Sequence, residues 1–238
     1  MALPRINETL NFTMTIPSTG QTVKYRPYLV KEEKVLLQAF ESRDTEMCLQ
    51  AMSDTIASCL DQDAGIHVPS LATFDIEYMF TQLRAKSVGE TSTVLVSCKE
   101  CDEQNEYSID LEAIQVEVPK NNNVIKLTDD ISVEMTYPTY ETLINGDAQN
   151  AEKDMGSALK VIAGSIKAVL TPEERIDARD QAEEEVLAFL QSMTANQLKL
   201  LTDFLENIPA MKHQIHFKCK KCGTDNEMEL KGLSDFFS

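Results

Sequence analysis

The chain opens with a period-two pattern. Phe12, Met14 and Ile16 alternate with Thr13 and Thr15, as in a half-buried strand. Pro17-Ser18-Thr19-Gly20 supplies a turn, and Val23, Tyr25 and Tyr28 continue on the return side, broken by Pro27. This predicts a β-hairpin within residues 10–30. From Lys31 the spacing becomes helical, with Val35, Leu36 and Phe40 on one stripe. A second helix is expected over about 44–61, placing Cys48, Met52, Ile56 and Cys59 on one face. A third is expected over about 71–87, carrying Phe74, Tyr78, Phe80 and Leu83. The segment 31–88 therefore reads as helices.

Residues 91–136 read as a β-region. Val94-Leu95-Val96-Ser97 is strand-like, and further strands are expected at Ile114–Val118, Val124–Leu127 and Ile131–Met135. A mostly helical insertion is expected over 138–208. Within it Met155, Leu159, Ile162, Ile166 and Val169 step by four, three, four and three, an amphipathic stripe suited to a core or a partner helix. Thr171-Pro172-Glu173-Glu174 has the form of a helix start, and Thr194-Ala195-Asn196-Gln197 that of a capping box. The helix opened by the latter carries Leu198, Leu201, Phe204 and Leu205 and stops at Pro209. Residues 211–238 hold a last strand-like run and a tail ending in Phe236-Phe237-Ser238.

Two cysteine pairs stand at the ends of strand-like runs: Cys98-Lys99-Glu100-Cys101 and Cys219-Lys220-Lys221-Cys222. Each is followed by polar turn residues, and together they are the chain's one internal similarity. Zinc takes four soft donors in a tetrahedron, which two such knuckles supply. Cys98, Cys101, Cys219 and Cys222 are accordingly the expected ligands of a structural zinc. The 117 residues between the pairs are far more than a compact ribbon uses. Paired disulfides in an exported protein and a redox-active CxxC remain as alternatives. Each pair follows a strand and precedes an acidic turn, which does not match the helix N-terminus of a redox site. Cys48 and Cys59 lie about three helical turns apart, too far to bond, and read as structural thiols.

Composition narrows the function. The 238 residues are 42% hydrophobic and 26% charged, enough for a genuine core without help from a metal. Lys and Arg number 22 against 39 Asp and Glu, a net charge of −17 that would repel nucleic acid. No signal-like apolar stretch opens the chain and no run approaches a membrane span, so a reducing cytosol and metal-bound thiolates are expected. No nucleophile elbow, Walker loop, dinucleotide fingerprint or HExxH occurs. No small-molecule substrate is indicated. Among the histidines, His216 is the one placed to substitute for a cysteine ligand. The fold class expected is α+β: one domain over 1–238, a mainly helical body with β-hairpins, and both knuckles in one zinc-ribbon-like site.

The block Val23-Lys24-Tyr25-Arg26-Pro27-Tyr28-Leu29-Val30-Lys31-Glu32-Glu33-Lys34 resembles the opening motif of baseplate hub proteins of T-even-type contractile-tailed phages. The ending is similar too: Phe204-Leu205, Ile208-Pro209, Cys219-Lys220-Lys221-Cys222-Gly223 and Leu230-Lys231-Gly232-Leu233-Ser234-Asp235-Phe236-Phe237. Block order and length fit that family of hub components and hub assembly factors. The resemblance implies a non-enzymatic virion or assembly protein, in the tail baseplate or in the host cytoplasm during assembly. Its implied partners are other hub and spike-associated proteins. Tyr25, Arg26, Phe236 and Phe237 are the expected interface residues, since Tyr and Arg are enriched at hot spots and a terminal Phe pair needs cover. Tyr25 and Tyr28 equally suit anchoring of the hairpin to the helices. A zinc-ribbon adaptor and a thiol oxidoreductase are the competing classes; the acidic charge opposes the first.

Overall fold

A computed structural model describes residue 9 and residues 11–119, 123–144 and 155–236. In chain order the elements are β1 (Phe12–Thr15), β2 (Thr22–Tyr25), α1 (Val30–Ser42), α2 (Thr45–Cys59), α3 (Thr73–Ser87), β3 (Thr91–Ser97) and β4 (Gln104–Asp110). There follow β5 (Val124–Lys126), β6 (Ser132–Met135), α4 (Tyr140–Ile144), α5 (Met155–Gly164), β7 (Ile166–Leu170) and β8 (Arg175–Asp177). The last are α6 (Glu183–Gln191), α7 (Ala195–Glu206), β9 (Lys212–Lys218), β10 (Asp225–Lys231) and α8 (Gly232–Phe236). The class is α+β. Where the sequence suggests one domain, the chain forms two compact units: residues 1–68, 74–118 and 209–238, and residues 69–73 and 119–208.

The first unit is built on three antiparallel hairpins, β1-β2, β3-β4 and β9-β10, with helices α1 to α3. An isolated two-stranded hairpin is marginal in water, so each needs a shared apolar surface. Alternation provides it: Val94 and Val96 of β3, Ile109 of β4, Ile215 of β9 and Leu230 of β10 all turn inward. They meet Ala85 of α3, Leu111, Met211 and Phe236 in one cluster. Phe236 is fully buried, and its carbonyl accepts a 2.8 Å hydrogen bond from Ser92 Oγ. Phe237 lies outside the described residues.

Tyr25 and Arg26 are buried inside this unit. Tyr25 pairs with Leu60 through a β-bridge, and its ring lies tilted by 36° with its centroid 5.7 Å from that of Phe12. Arg26 donates through Nη2 to Glu32 Oε1 at 2.8 Å and to the Ser58 carbonyl at 3.0 Å. Glu32 also accepts from the Leu29 N–H at 2.9 Å, satisfying a free donor at the start of α1. One buried ion pair thus ties the exit of β2 to the start of α1 and the end of α2. Burial of Tyr25 agrees with the anchoring role the sequence allowed for Tyr25, Tyr28 and Leu29, whereas Arg26, expected at an interface, also turns inward, leaving neither side chain at the surface of this chain.

The second unit carries a four-stranded antiparallel meander, β5-β6-β7-β8. Val133, Met135 and Ile166 from the sheet pack with Ile162 of α5, Leu190 of α6 and Leu201 and Phe204 of α7. Two expectations fail here. The amphipathic stripe does not run to Val169 as one helix, because α5 ends at Gly164 and Ile166 and Val169 lie on β7. The Ser165 N–H bonds back to Val161 and Ile162, closing the helix, and β7 then pairs with both β6 and β8. Pairing on both edges outweighs a helical spacing that β-branched residues fit equally well. Thr171-Pro172-Glu173-Glu174 is not a helix start but the β7-β8 turn: the Thr171 N–H donates to the Glu174 carbonyl at 2.9 Å, and Thr171 Oγ1 accepts from the Glu174 N–H at 3.1 Å. The side-chain bond that would cap a helix closes a hairpin instead. Ile114–Val118 is irregular rather than a strand. The capping box at Thr194 forms as expected, with reciprocal bonds to Gln197.

Replacing Phe236 by Ala should cost about 3–5 kcal/mol, the usual loss for a buried aromatic. A urea unfolding midpoint reads the change. A second expectation concerns acid. Glu134 on β6 is held below the ordinary glutamate value of 4.5 by Lys167 first and then Arg175. Its contribution is full above 4.5 and is lost as pH falls through the lowered folded value. Both cations are 41–51% exposed, so the difference at neutral pH should stay under about 1 kcal/mol. Glu134→Gln should therefore lose less stability than the unaltered chain between neutral pH and about pH 3, as read by urea midpoints.

Candidate metal centre

The four cysteines sit on two copies of one structure. Every element of the β3-β4 hairpin recurs 121 positions later in β9-β10: Cys98 matches Cys219, Cys101 matches Cys222, and Asn105 matches Asn226. The turns close alike. The Cys98 N–H donates to the Glu103 carbonyl and the Cys219 N–H to the Thr224 carbonyl, each at 2.9 Å. The Asp102 and Gly223 N–H groups return to the Cys98 and Cys219 carbonyls, each at 3.0 Å. Both turns need a left-handed residue at the same place, Asp102 at φ 55° and Gly223 at φ 74°. Gly reaches that region freely and Asp is among the few other residues that tolerate it.

The knuckles face each other. All four Sγ atoms lie within 4.8 Å of one another. Two contacts cross between the knuckles: Cys98 to Cys222 at 3.6 Å and Cys101 to Cys219 at 3.7 Å. A tetrahedron with metal–sulfur bonds of about 2.3 Å has edges of about 3.8 Å, close to these separations. Cys98 and Cys219 are buried, Cys101 is partly covered and Cys222 is exposed. His216 is exposed on β9 and takes no part in the cluster. Cys48 and Cys59 stand apart: Cys48 Sγ donates to the Ala39 carbonyl at 3.2 Å, and burial raises both thiols.

Two asparagines clasp the knuckles reciprocally. Asn226 Oδ1 accepts the Lys99 N–H at 3.0 Å, and Asn105 Oδ1 accepts the Lys220 N–H at 2.9 Å. Their amide nitrogens point at sulfur, Asn226 to Cys98 at 3.5 Å and Asn105 to Cys219 at 3.8 Å. Both residues are buried. Sequence reasoning passed over them. The available signal was position, since each Asn stands fourth after the second cysteine of its pair. Lys221 adds an ion pair with Glu103 across the knuckles at 3.1 Å.

The backbone N–H groups of the knuckles favour anionic sulfur at Cys98 and Cys219. The Cys219 thiol is drawn down to about 6, first by the Cys222 N–H and also by the Lys221 N–H, against the cost of burial. Cys98 is lowered too, led by the Glu100 N–H. At Cys101 the Glu103 N–H also lowers the thiol, but burial and the neighbouring sulfurs outweigh it and push it up to about 12. Four thiolates cannot crowd together uncompensated, and a divalent cation is the group that would replace the remaining protons. Four sulfurs close a tetrahedron, leaving no open position for water or substrate.

The family model described as T4 bacteriophage base plate protein matches residues 8–238. The chain belongs to this family. Comparison with curated proteins and with solved structures returns no match. The base plate family match spans both hairpins and the segment between them, so the cysteine cluster lies within the family's extent. Of the residues expected in functional roles, the four cysteines come together. Tyr25, Arg26 and Phe236 are separate from them, in the interior of the same unit.

Asn105→Ala or Asn226→Ala removes the acceptor of a knuckle N–H and a donor to sulfur. Each should cost about 1–3 kcal/mol, the penalty for orphaning a partly buried donor. With zinc on the four sulfurs, as the sequence leads one to expect, each should also speed release of the ion to a chelator, as measured by a colorimetric zinc indicator.

Proposed function

We propose that this chain is a non-enzymatic structural or assembly protein of a phage tail baseplate hub, stabilised by a structural zinc ion on Cys98, Cys101, Cys219 and Cys222. The observation that carries the zinc reading is the convergence of four sulfurs within 4.8 Å from two matched hairpins. In this reading the ion fastens the hairpin before the inserted segment to the hairpin after it, and its binding energy adds to the stability of the first unit. The closed donor set suits a structural ion and not a hydrolytic one. A dithiol oxidoreductase is a poorer fit, because each CxxC lies on a hairpin turn and not at a helix N-terminus.

The base plate family supports a role exercised through contacts with other baseplate components. The proposed partners are hub and spike-associated proteins, and the proposed location is the tail or the host cytoplasm while the baseplate forms. The net charge of −17 agrees with protein partners and against nucleic acid. Among the described residues no helix is long and apolar enough to cross a membrane. Tyr25, Arg26 and Phe236, expected at such an interface, are buried in this chain and are not proposed as direct contacts; Phe237 remains an expected contact.

Purified chain should contain one equivalent of zinc, with four thiols shielded until a strong chelator is added. Chelation should release the zinc, expose the thiols and lower the unfolding temperature. Cys98→Ser with Cys222→Ser should abolish binding. Reactive thiols or disulfides without metal would defeat the zinc reading, leaving the family assignment intact.

A further inference from the structure

The first unit carries an apolar groove between two of its helices. A depression of about 480 Å³ is lined by Leu37 and Phe40 of α1, Phe80 and Val88 of α3, and Leu233 of α8. Phe80 is buried, whereas Leu37, Phe40 and Val88 are 45–57% exposed. The two charged residues that border it, Glu33 and Arg84, are of opposite sign, so charge selects no occupant and apolar burial must. Exposed apolar side chains gathered in one place call for a cover.

The register of α8 says what that cover is. The helix is fixed in rotation. The Gly232 N–H donates to the Met211 carbonyl at 3.0 Å, the Lys231 N–H to Asp235 Oδ2 at 2.8 Å, and the Leu233 N–H to the Glu77 carboxylate. At the other end Phe236 is locked in the core, with its carbonyl held by Ser92. Leu233 both packs against that core and lines the groove. Phe236 stands about 60° round the helix from Leu233, on the core side. One more helical residue puts Phe237 about 40° from Leu233 in the opposite sense, away from the core. Helical side chains lean toward the N-terminus, so a residue at i+4 comes down over residue i. Phe237 is the i+4 neighbour of Leu233.

We infer that the groove between α1 and α3 is the seat of this chain's own Phe237, whose ring packs on Leu37, Phe40 and Leu233. Phe237 lies outside the described residues, and its place follows from the register of α8 and the groove that register faces. The adjacent phenylalanines then divide the work: Phe236 holds α8 to the hairpin core, and Phe237 holds it to the helices. Aromatic neighbours at Phe40 and Phe80 suit a phenyl ring in particular. The groove is open, so a seated ring keeps an edge at the surface. A baseplate partner would meet Phe237 as part of one apolar surface with Leu37, Phe40 and Val88. The inference depends on neither the zinc nor the hub reading.

The full chain contains no tryptophan, so Phe237→Trp introduces a single fluorescent reporter. Its emission should be blue-shifted from that of free tryptophan, resist quenching by acrylamide and stay the same across protein concentrations. Leu37→Gln with Phe40→Gln changes two exposed positions of the groove and leaves the core cluster untouched. Added to Phe237→Trp, this pair should move the emission to the red and restore quenching. A benzophenone side chain at position 237, with the groove unaltered, should crosslink to α1 or α3 of the same chain. Emission at the position of free tryptophan would overturn the inference, as would a blue shift indifferent to the groove changes. A blue shift that appears only as concentration rises, or crosslinks between chains, would assign the groove to a second copy and overturn it equally. Crosslinks to other elements would do the same.

Discussion

Closure of the first unit depends on two hairpins meeting that are separated by more than a hundred residues. An isolated hairpin is marginal in water, and these two bury their inward faces against each other, α3 and Phe236. The contact is made twice over. Apolar side chains from all four strands share one core, and above it the knuckles lock through reciprocal asparagine bonds and four converging sulfurs. The entropy of closing a loop grows only slowly with its length, so a long insertion between the halves is tolerated once this contact is strong enough. A metal on the four sulfurs would act where that closure cost is concentrated.

The pairing also frees the intervening chain. Residues 119–208, with 69–73, form a unit with its own sheet and its own apolar cluster, so the segment between the knuckles is a folded body and not a long loop. The two units differ in how they are held. The first relies on hairpins and a buried Arg26–Glu32 pair, which fixes geometry more than it adds stability, since burying two charges offsets most of their attraction. The second relies on a meander whose exposed face is crossed by Lys167 and Arg175 to Glu134.

Residues with local physics were legible in the chain. The alternation of Phe12 to Ile16, the helices through Leu36, Ile56 and Phe80, and the Thr194 capping box each depend on neighbours a few positions away, and each formed. The cysteines were legible for a different reason: two thiol pairs at CxxC spacing form a recurrent pattern that singles them out before their geometry is known. Where a local signal serves two structures, the sequence misled. A Thr hydroxyl accepting an N–H three residues on opens a helix or closes a hairpin, and at Thr171 strand pairing decided. Ile166 and Val169 satisfy a helical stripe and a strand equally, and the partners β6 and β8 decided.

The sequence by itself determined the α+β class, the acidic character and the two CxxC pairs, because composition and short-range spacing contain them. Only the tertiary structure decided that the two knuckles meet, that Asn105 and Asn226 clasp them, that Arg26 turns inward, and that the insertion is a unit of its own. These facts concern pairs of residues distant in the chain. Spacing along one strand carries no information about which remote strand will face it, and that choice is made by the shared burial of surfaces that exist only once the chain has folded.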